Sequence, residues 1–239
     1  MDNNAAEAAT LPPILCDHRT MIKTIQEELH SFALKLLECI AVALGLPETQ
    51  FASQHNRDLP NFDNFELMHY PPLSSKSGEG VPAHRISPHT DWGSITLLFQ
   101  QDIAGLQVRP PHYTSPTLSP DEVWTNAPIF NEMVLVNIGD MMEFWTAGKL
   151  KSTWHRVTSN TVSHPEHGHR DRYCFAYFLH PNKDAVLVPI EGLRSDESWQ
   201  SRYEGTGRSA EEHIRARISG VHGTREELVG KGLAAVETY

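Results

Sequence analysis

His89 and Asp91, separated by Thr90, have the types and the spacing to grip a metal ion. Side chains alternate faces along an extended segment, so residues two apart point the same way. One strand end can therefore offer an imidazole and a carboxylate to a single ion. A third ligand from a distant strand would complete a 2-His-1-carboxylate facial triad, which leaves three adjacent positions open and is the arrangement expected of non-haem Fe(II) oxygenases. His155, in Ser152-Thr153-Trp154-His155-Arg156-Val157, is the best candidate. Histidine-x-aspartate recurs by chance in a chain with 14 histidines, so the surrounding residues must carry the assignment.

The elements that would position these ligands can be read along the chain. Residues 1–18 have little periodicity and contain Pro12-Pro13, which suggests a mobile lead-in. Met21 or Ile22, Ile25, Leu29, Phe32, Leu36, Leu37 and Ile40 recur at helical spacing and predict an amphipathic helix over Thr20 to Leu44, closed near Gly45 and Pro47. Together with a shorter stretch to residue 60 this makes a helical segment over 19–60. From 61 to 195 the character changes to short strand-like runs broken by Pro, Gly, Asn and Asp: Phe65 to Tyr70, Arg85 to His89, Ser94 to Gln100, Leu106 to Arg109, Met133 to Ile138, Ser152 to Thr158, Arg172 to Leu179 and Ala185 to Ile190. Such spacing predicts a sandwich or barrel, with cupin-type jelly rolls as a metal-binding example. Asn137-Ile138-Gly139-Asp140 reads as a turn in which Gly supplies unusual backbone angles. Pro110 to Pro120 and Asn160 to Asp171 read as loops, and His164, His167 and His169 in the second as solvated residues. Residues 196–239 form a last segment, in which Ser209 to Ser219 predicts a helix with Ile214 and Ile218 turned inward.

Composition narrows the function classes. Twenty basic and thirty acidic residues give a net charge of −10 with no basic stripe, so neither nucleic acid nor an anionic membrane surface is an expected partner. A small-molecule substrate is expected instead. Three cysteines, Cys16, Cys39 and Cys174, form no C-x-x-C pair and fit a reducing compartment. With a polar, acidic start and no long apolar run, the expectation is a soluble, cytoplasmic chain.

From about Leu67 to Pro181 six blocks stand in a telling order: His69-Tyr70-Pro71-Pro72, His89-Thr90-Asp91-Trp92-Gly93-Ser94, Gly105-Leu106-Gln107-Val108, Val134 to Asp140, Lys151 to Val157, and Arg172-Tyr173-Cys174 onward. In these blocks the chain resembles the catalytic region of the isopenicillin N synthase-like family of 2-oxoglutarate/Fe(II)-dependent dioxygenases. The resemblance implies a mainly β fold, a double-stranded β-helix (jelly roll) with flanking α-helices. It implies Fe(II) held by His89, Asp91 and His155, with 2-oxoglutarate and dioxygen as cosubstrates. Family members hydroxylate, desaturate, demethylate or close rings on small molecules, and a place in secondary metabolism is an expectation for this chain. Arg172 would hold the distal carboxylate of 2-oxoglutarate, and a guanidinium presents the planar fork that suits it.

Around Arg172 the resemblance also assigns cosubstrate contacts to Cys174 and Tyr70. Cys174 stands where the family pattern has Ser, and a thiol is the weaker donor. Met68 stands where the family has Asn. Trp92, Trp154 and Phe178 neighbour site residues or share a face with them, and are candidate substrate-pocket aromatics. Two alternatives remain open on the sequence: an iron oxidase that does not use 2-oxoglutarate, and a non-catalytic relative with a truncated N-terminus. The family's N-terminal region is longer than this one. The shorter start implies uncovered apolar surface and a homodimer.

Overall fold

The computed structural model describes residues 13–72, 84–110, 123–130, 132–158, 170–193 and 207–222. The proline-rich loop over 111–120, the histidines at 164, 167 and 169, and residues 1–12 of the lead-in lie outside the described residues. The chain divides into two units, Met1–Ala52 and Ser53–Tyr239.

The first unit is helical: α1 (Pro13–Cys16), α2 (Arg19–Ala43) and α3 (Thr49–Ala52). Helix α2 ends in a Schellman motif. Leu46 N–H donates to Ala41 O at 2.9 Å, Gly45 N–H donates to Val42 O at 3.0 Å, and Gly45 takes φ +74°, which a side chain would strain. The buried stripe is Leu29, Ala33, Leu37 and Ala41. Phe32 and Met21, expected inside, are exposed. The deepest stripe follows a four-residue spacing, and Phe32 lies about 100° around the helix from its neighbour Ala33.

The second unit is the expected jelly roll. Its strands are β1 (Asn64–Tyr70), β2 (His84–His89), β3 (Ile95–Gln100), β4 (Leu106–Val108), β5 (Thr125–Asn126), β6 (Leu135–Ile138), β7 (His155–Thr158), β8 (Arg172–Leu179), β9 (Val186–Leu187) and β10 (Arg208–Ser209). Two four-stranded antiparallel sheets face each other, ordered β1-β8-β3-β6 and β2-β7-β4-β5, while β9 pairs with β10. Apart from the β4–β5 pair, successive strands from β1 to β8 cross between the sheets, and their inward faces share one interior: Tyr70, Leu106, Ala127, Val157 and Cys174 are buried there against Met68, Ile86, Leu98, Val108 and Leu135. No helix among the described residues is long and apolar enough to cross a membrane.

Three local expectations are corrected. Asn137 to Asp140 is not a simple turn: β6 ends at Ile138 and a helix, α4 (Asp140–Trp145), begins, with every one of its side chains buried. Gly139 has ordinary extended angles, so glycine is needed there for space. The run Ala185 to Ile190 shortens to Val186–Leu187, because Ile190 N–H leaves the ladder for Trp145 O. In the C-terminal helix α5 (Ala210–His222), Ile214 is buried as expected but Ile218 is exposed. The inward face consists of Ala210, His213, Ile214 and Arg217, a set at helical spacing in which two members are polar.

Candidate active site

His89 closes β2 and His155 opens β7, and the two are directly opposite in the ladder. Their rings lie 4.2 Å apart, centroid to centroid. Asp91 follows on the extended run beyond His89, on the same side. One donor atom from each of the three lies within 4.8 Å of the others. Asp91 Oδ1 is 3.8 Å from His89 Nε2 and 3.5 Å from His155 Nε2.

The surroundings aim these atoms. Nδ1 of His89 bonds Ser87 O at 2.9 Å and Nδ1 of His155 bonds Thr153 O at 3.0 Å, which leaves both Nε2 lone pairs directed inward. Asp91 Oδ2 accepts from Thr96 Oγ1 at 2.6 Å and from Asn137 Nδ2 at 2.7 Å, so Oδ1 is left for the shared space. The three groups also act on one another. Burial and the neighbouring His155 lower the pKa of His89. Burial would also depress His155, but Asp91 outweighs it and raises the pKa. Burial would raise Asp91, yet His155, Thr96 and Asn137 hold it well below the usual carboxylate range. An ionised carboxylate facing two imidazole nitrogens is a donor set that fits Fe(II).

Helix α4 fixes both ligand segments. At its start, Asp140 N–H donates to Asp91 O at 2.8 Å, Met141 N–H donates to Gly93 O at 3.1 Å, and Gly139 N–H donates to Ser94 O at 2.9 Å. This approach requires two glycines. A Cβ on Gly139 would sit 2.2 Å from Gly93 O, and one on Gly93 would sit 2.5 Å from Leu179 O. One turn later Glu143 Oε2 accepts from Ser152 N–H at 2.8 Å, tethering the segment that leads into His155.

The three donors face a cavity of about 430 Å³ between the sheets. Arg172 lies buried in its wall at the start of β8, paired with Tyr70 across the β1–β8 ladder. Arg172 Nη1 contacts Cys174 Sγ at 3.4 Å, Nη2 donates to Gln100 Oε1 at 3.3 Å, and the guanidinium carbon stands 5.0 Å from the Tyr70 ring centre. Tyr70 donates its hydroxyl to Met68 Sδ at 3.4 Å, so the residue that replaces the family's Asn still serves as an acceptor. Burial pushes the Tyr70 phenol up to about 12, and burial raises the Cys174 thiol against the pull of Arg172. Both side chains are neutral near pH 7.

Among the candidate aromatics, Phe178 lines the cavity. Trp92 and Trp154 are not among its lining residues, which corrects the expectation. Trp92 lies in the bend that follows Asp91, and Trp154 stands just ahead of β7. Sequence reasoning missed Thr96 and Asn137, whose signal was a polar residue at an inward strand position, and Glu66, Lys151 and Thr153, which also line the cavity.

The family model described as the 2OG-Fe(II) oxygenase superfamily matches residues 61–181. A 2-oxoglutarate-dependent dioxygenase, frbA, from Dothideomycetidae sp. is 36% identical over 179 residues, covering 71% of this chain and 48% of that protein. Proline hydroxylase buaE from Petromyces alliaceus is 35% identical over 194 residues, 79% of this chain and 56% of that one. The chain thus spans about half the length of the curated relatives it matches. A full-length Neurospora crassa protein crystallised in complex with alpha-KG superposes with a TM-score of 0.68 at 27% identity, covering 84% of this chain and 57% of that chain. With a match across half of its residues and a jelly roll that brings His89, Asp91 and His155 together, the chain belongs to the 2OG-Fe(II) oxygenase superfamily.

Proposed function

We propose that the chain is a 2-oxoglutarate- and Fe(II)-dependent dioxygenase that oxidises a small molecule. The observation that carries this reading is the convergence of His89, Asp91 and His155 on the cavity whose wall also contains Arg172. His89, Asp91 and His155 would hold Fe(II), with Oδ2 of Asp91 kept occupied by Thr96 and Asn137. When bound, Fe(II) supplies the dioxygen chemistry that couples decarboxylation of 2-oxoglutarate to substrate oxidation. Arg172 would bind the distal carboxylate of the keto acid through its guanidinium fork, with the neutral Tyr70 hydroxyl and Cys174 thiol beside it. Leu98, Leu106, Leu135 and Val157 keep the interior apolar and exclude water from the reacting atoms.

The substrate would enter the part of the cavity bordered by Val136, Lys151 and Phe178. The relatives named as fungal dioxygenases favour a role in secondary metabolism. Three cysteines with no C-x-x-C pair among them favour a cytoplasmic setting, and exposed Leu67 and Tyr173 on the outer face of the β1–β8 pair favour a homodimer, which sedimentation would test. We expect neither nucleic acid nor a membrane as partner, given the net charge of −10.

The test is anaerobic titration with Fe(II) and 2-oxoglutarate, read by the metal-to-ligand absorption band, followed by succinate measurement on admitting air. Wild-type protein should show the band and His155→Ala should lose stoichiometric iron. Full iron retained by His155→Ala would overturn the ligand assignment. Substrate oxidation without succinate would instead identify an iron oxidase that does not use 2-oxoglutarate.

A further inference from the structure

The C-terminal helix sends a charged side chain to the back of the ligand loop. Arg217 of α5 has a side chain only 14% exposed, and its Nη2 lies 3.2 Å from Oδ2 of Asp140, which is fully buried. The same Nη2 stands 3.3 Å from Thr90 Oγ1, and the guanidinium carbon lies 5.8 Å from the Trp92 ring centre. Thr90 and Trp92 flank Asp91 on either side. Asp140 is the residue whose N–H donates to Asp91 O at 2.8 Å. One guanidinium therefore touches the residue before the carboxylate ligand, the residue after it, and the residue that grips its backbone.

We propose that Arg217 is a positioning residue that, paired with Asp140, holds the His89-Thr90-Asp91 loop in the geometry that binds the metal. The inference rests on the reading of His89, Asp91 and His155 as metal ligands. A fully buried carboxylate needs a countercharge. Among the described side chains of α5, the basic ones turned inward are His213 and Arg217. Burial pushes His213 down to about 4 despite the pull of Asp140, with Arg217, Arg208 and His180 adding to the depression, so His213 is neutral near pH 7 and Arg217 carries the charge. The contact with Asp140 is an ion pair rather than an aligned hydrogen bond, since neither Asp140 carboxylate oxygen has a hydrogen-bond partner.

Removing Arg217 alone leaves a buried, uncompensated charge and risks the fold, whereas removing both charges avoids that cost. The experiment therefore compares wild type, Arg217→Lys and the double variant Asp140→Asn/Arg217→Met. Co(II) is the redox-stable probe, its ligand-field absorption is titrated without any turnover, and circular dichroism checks the fold. A folded double variant should bind Co(II) about tenfold more weakly, the lower end of what loss of a ligand-orienting partner costs, and with an altered ligand-field band. Arg217→Lys, which keeps the charge but loses the fork, should recover part of the affinity and of the band. A folded double variant with wild-type affinity and spectrum would overturn the inference. Wild-type protein that binds no Co(II) would instead overturn the ligand assignment beneath it.

Discussion

Gly139→Ala tests whether α4 holds the ligand loop. The added methyl would sit 2.2 Å from Gly93 O, 2.7 Å from Gly93 C and 3.3 Å from Asp91 O, all backbone atoms that no side-chain rotation can move aside. The loop and the helix start must separate. At risk are the hydrogen bonds from Gly139, Asp140 and Met141 N–H to Ser94, Asp91 and Gly93 O, at 2.9, 2.8 and 3.1 Å. At about 0.5–1.5 kcal/mol net for each bond, their loss predicts destabilisation of about 1.5–4.5 kcal/mol. Gly192 supplies the control, because nothing lies within 4 Å of a Cβ there and no positive φ constrains it. Gly192→Ala should be neutral or stabilising by up to about 1 kcal/mol, through a less flexible unfolded chain. The assay is urea unfolding of metal-free protein followed by circular dichroism. Gly139→Ala should also weaken iron binding, because the Asp91 backbone loses its anchor. If it unfolds within about 0.5 kcal/mol of wild type, the spread assigned to ordinary substitutions, the close approach of loop and helix is not what holds the ligand.

Cys174→Ser should tighten 2-oxoglutarate roughly three- to tenfold, as a hydroxyl is a better donor than a buried, protonated thiol and one such bond contributes about 0.5–1.5 kcal/mol; an unchanged dissociation constant would mean that residue 174 does not face the cosubstrate. His213 titrates near 6.5 when unfolded but at about 4 when folded, so the unfolded chain binds more protons in that window and stability falls as pH drops through it, by on the order of 3 kcal/mol; His213→Gln should flatten this slope in denaturation series at pH 7 and pH 4.5. Ile214→Ala should cost about 2–4 kcal/mol and Ile218→Ala less than about 0.5, because only the first is buried, and equal losses in urea melts would contradict the orientation of α5.

The metal ligands were legible because their signal is local and geometric. Two residues of the set lie one strand repeat apart, and period two decides that they share a face. Strand β8 was legible to its ends, Arg172 and Leu179, because Asp171 on one side and Pro181-Asn182 on the other flank a run rich in aromatics. Helix α4 was not, since six residues span fewer than two turns and bury Asp140 and Glu143 along with the apolar side chains, which leaves no helical period to detect. Ile218 was placed inward because hydropathy ranks it above His213 and Arg217. The site reverses that order, as Asp140 requires a basic partner and the outward position of Ile218 costs little. Trp92 and Trp154 misled for the complementary reason. Each adjoins a ligand in sequence but lies outside the strands, where adjacency says nothing about which way a side chain faces.

The ladder pairings also dictate the order in which this molecule can be assembled. His89 meets His155, Tyr70 meets Arg172, and Arg217 meets Thr90 across 127 residues, so no short stretch of chain contains the site. Strand β8 is the joint between β1 and β3 in its sheet, and until it is in place the sheet that carries Arg172, Thr96 and Asn137 cannot close. Contacts of such long sequence separation form slowly, because the closure entropy must be met before any pairing rewards it. A nascent chain therefore exposes its apolar strands until β8 has been made, and its ligand loop gains its last support only when α5 can dock. The three donors thus come together through a barrel that is already closed, so a metal ion would load into a finished hold rather than serve as a nucleus around which the strands condense.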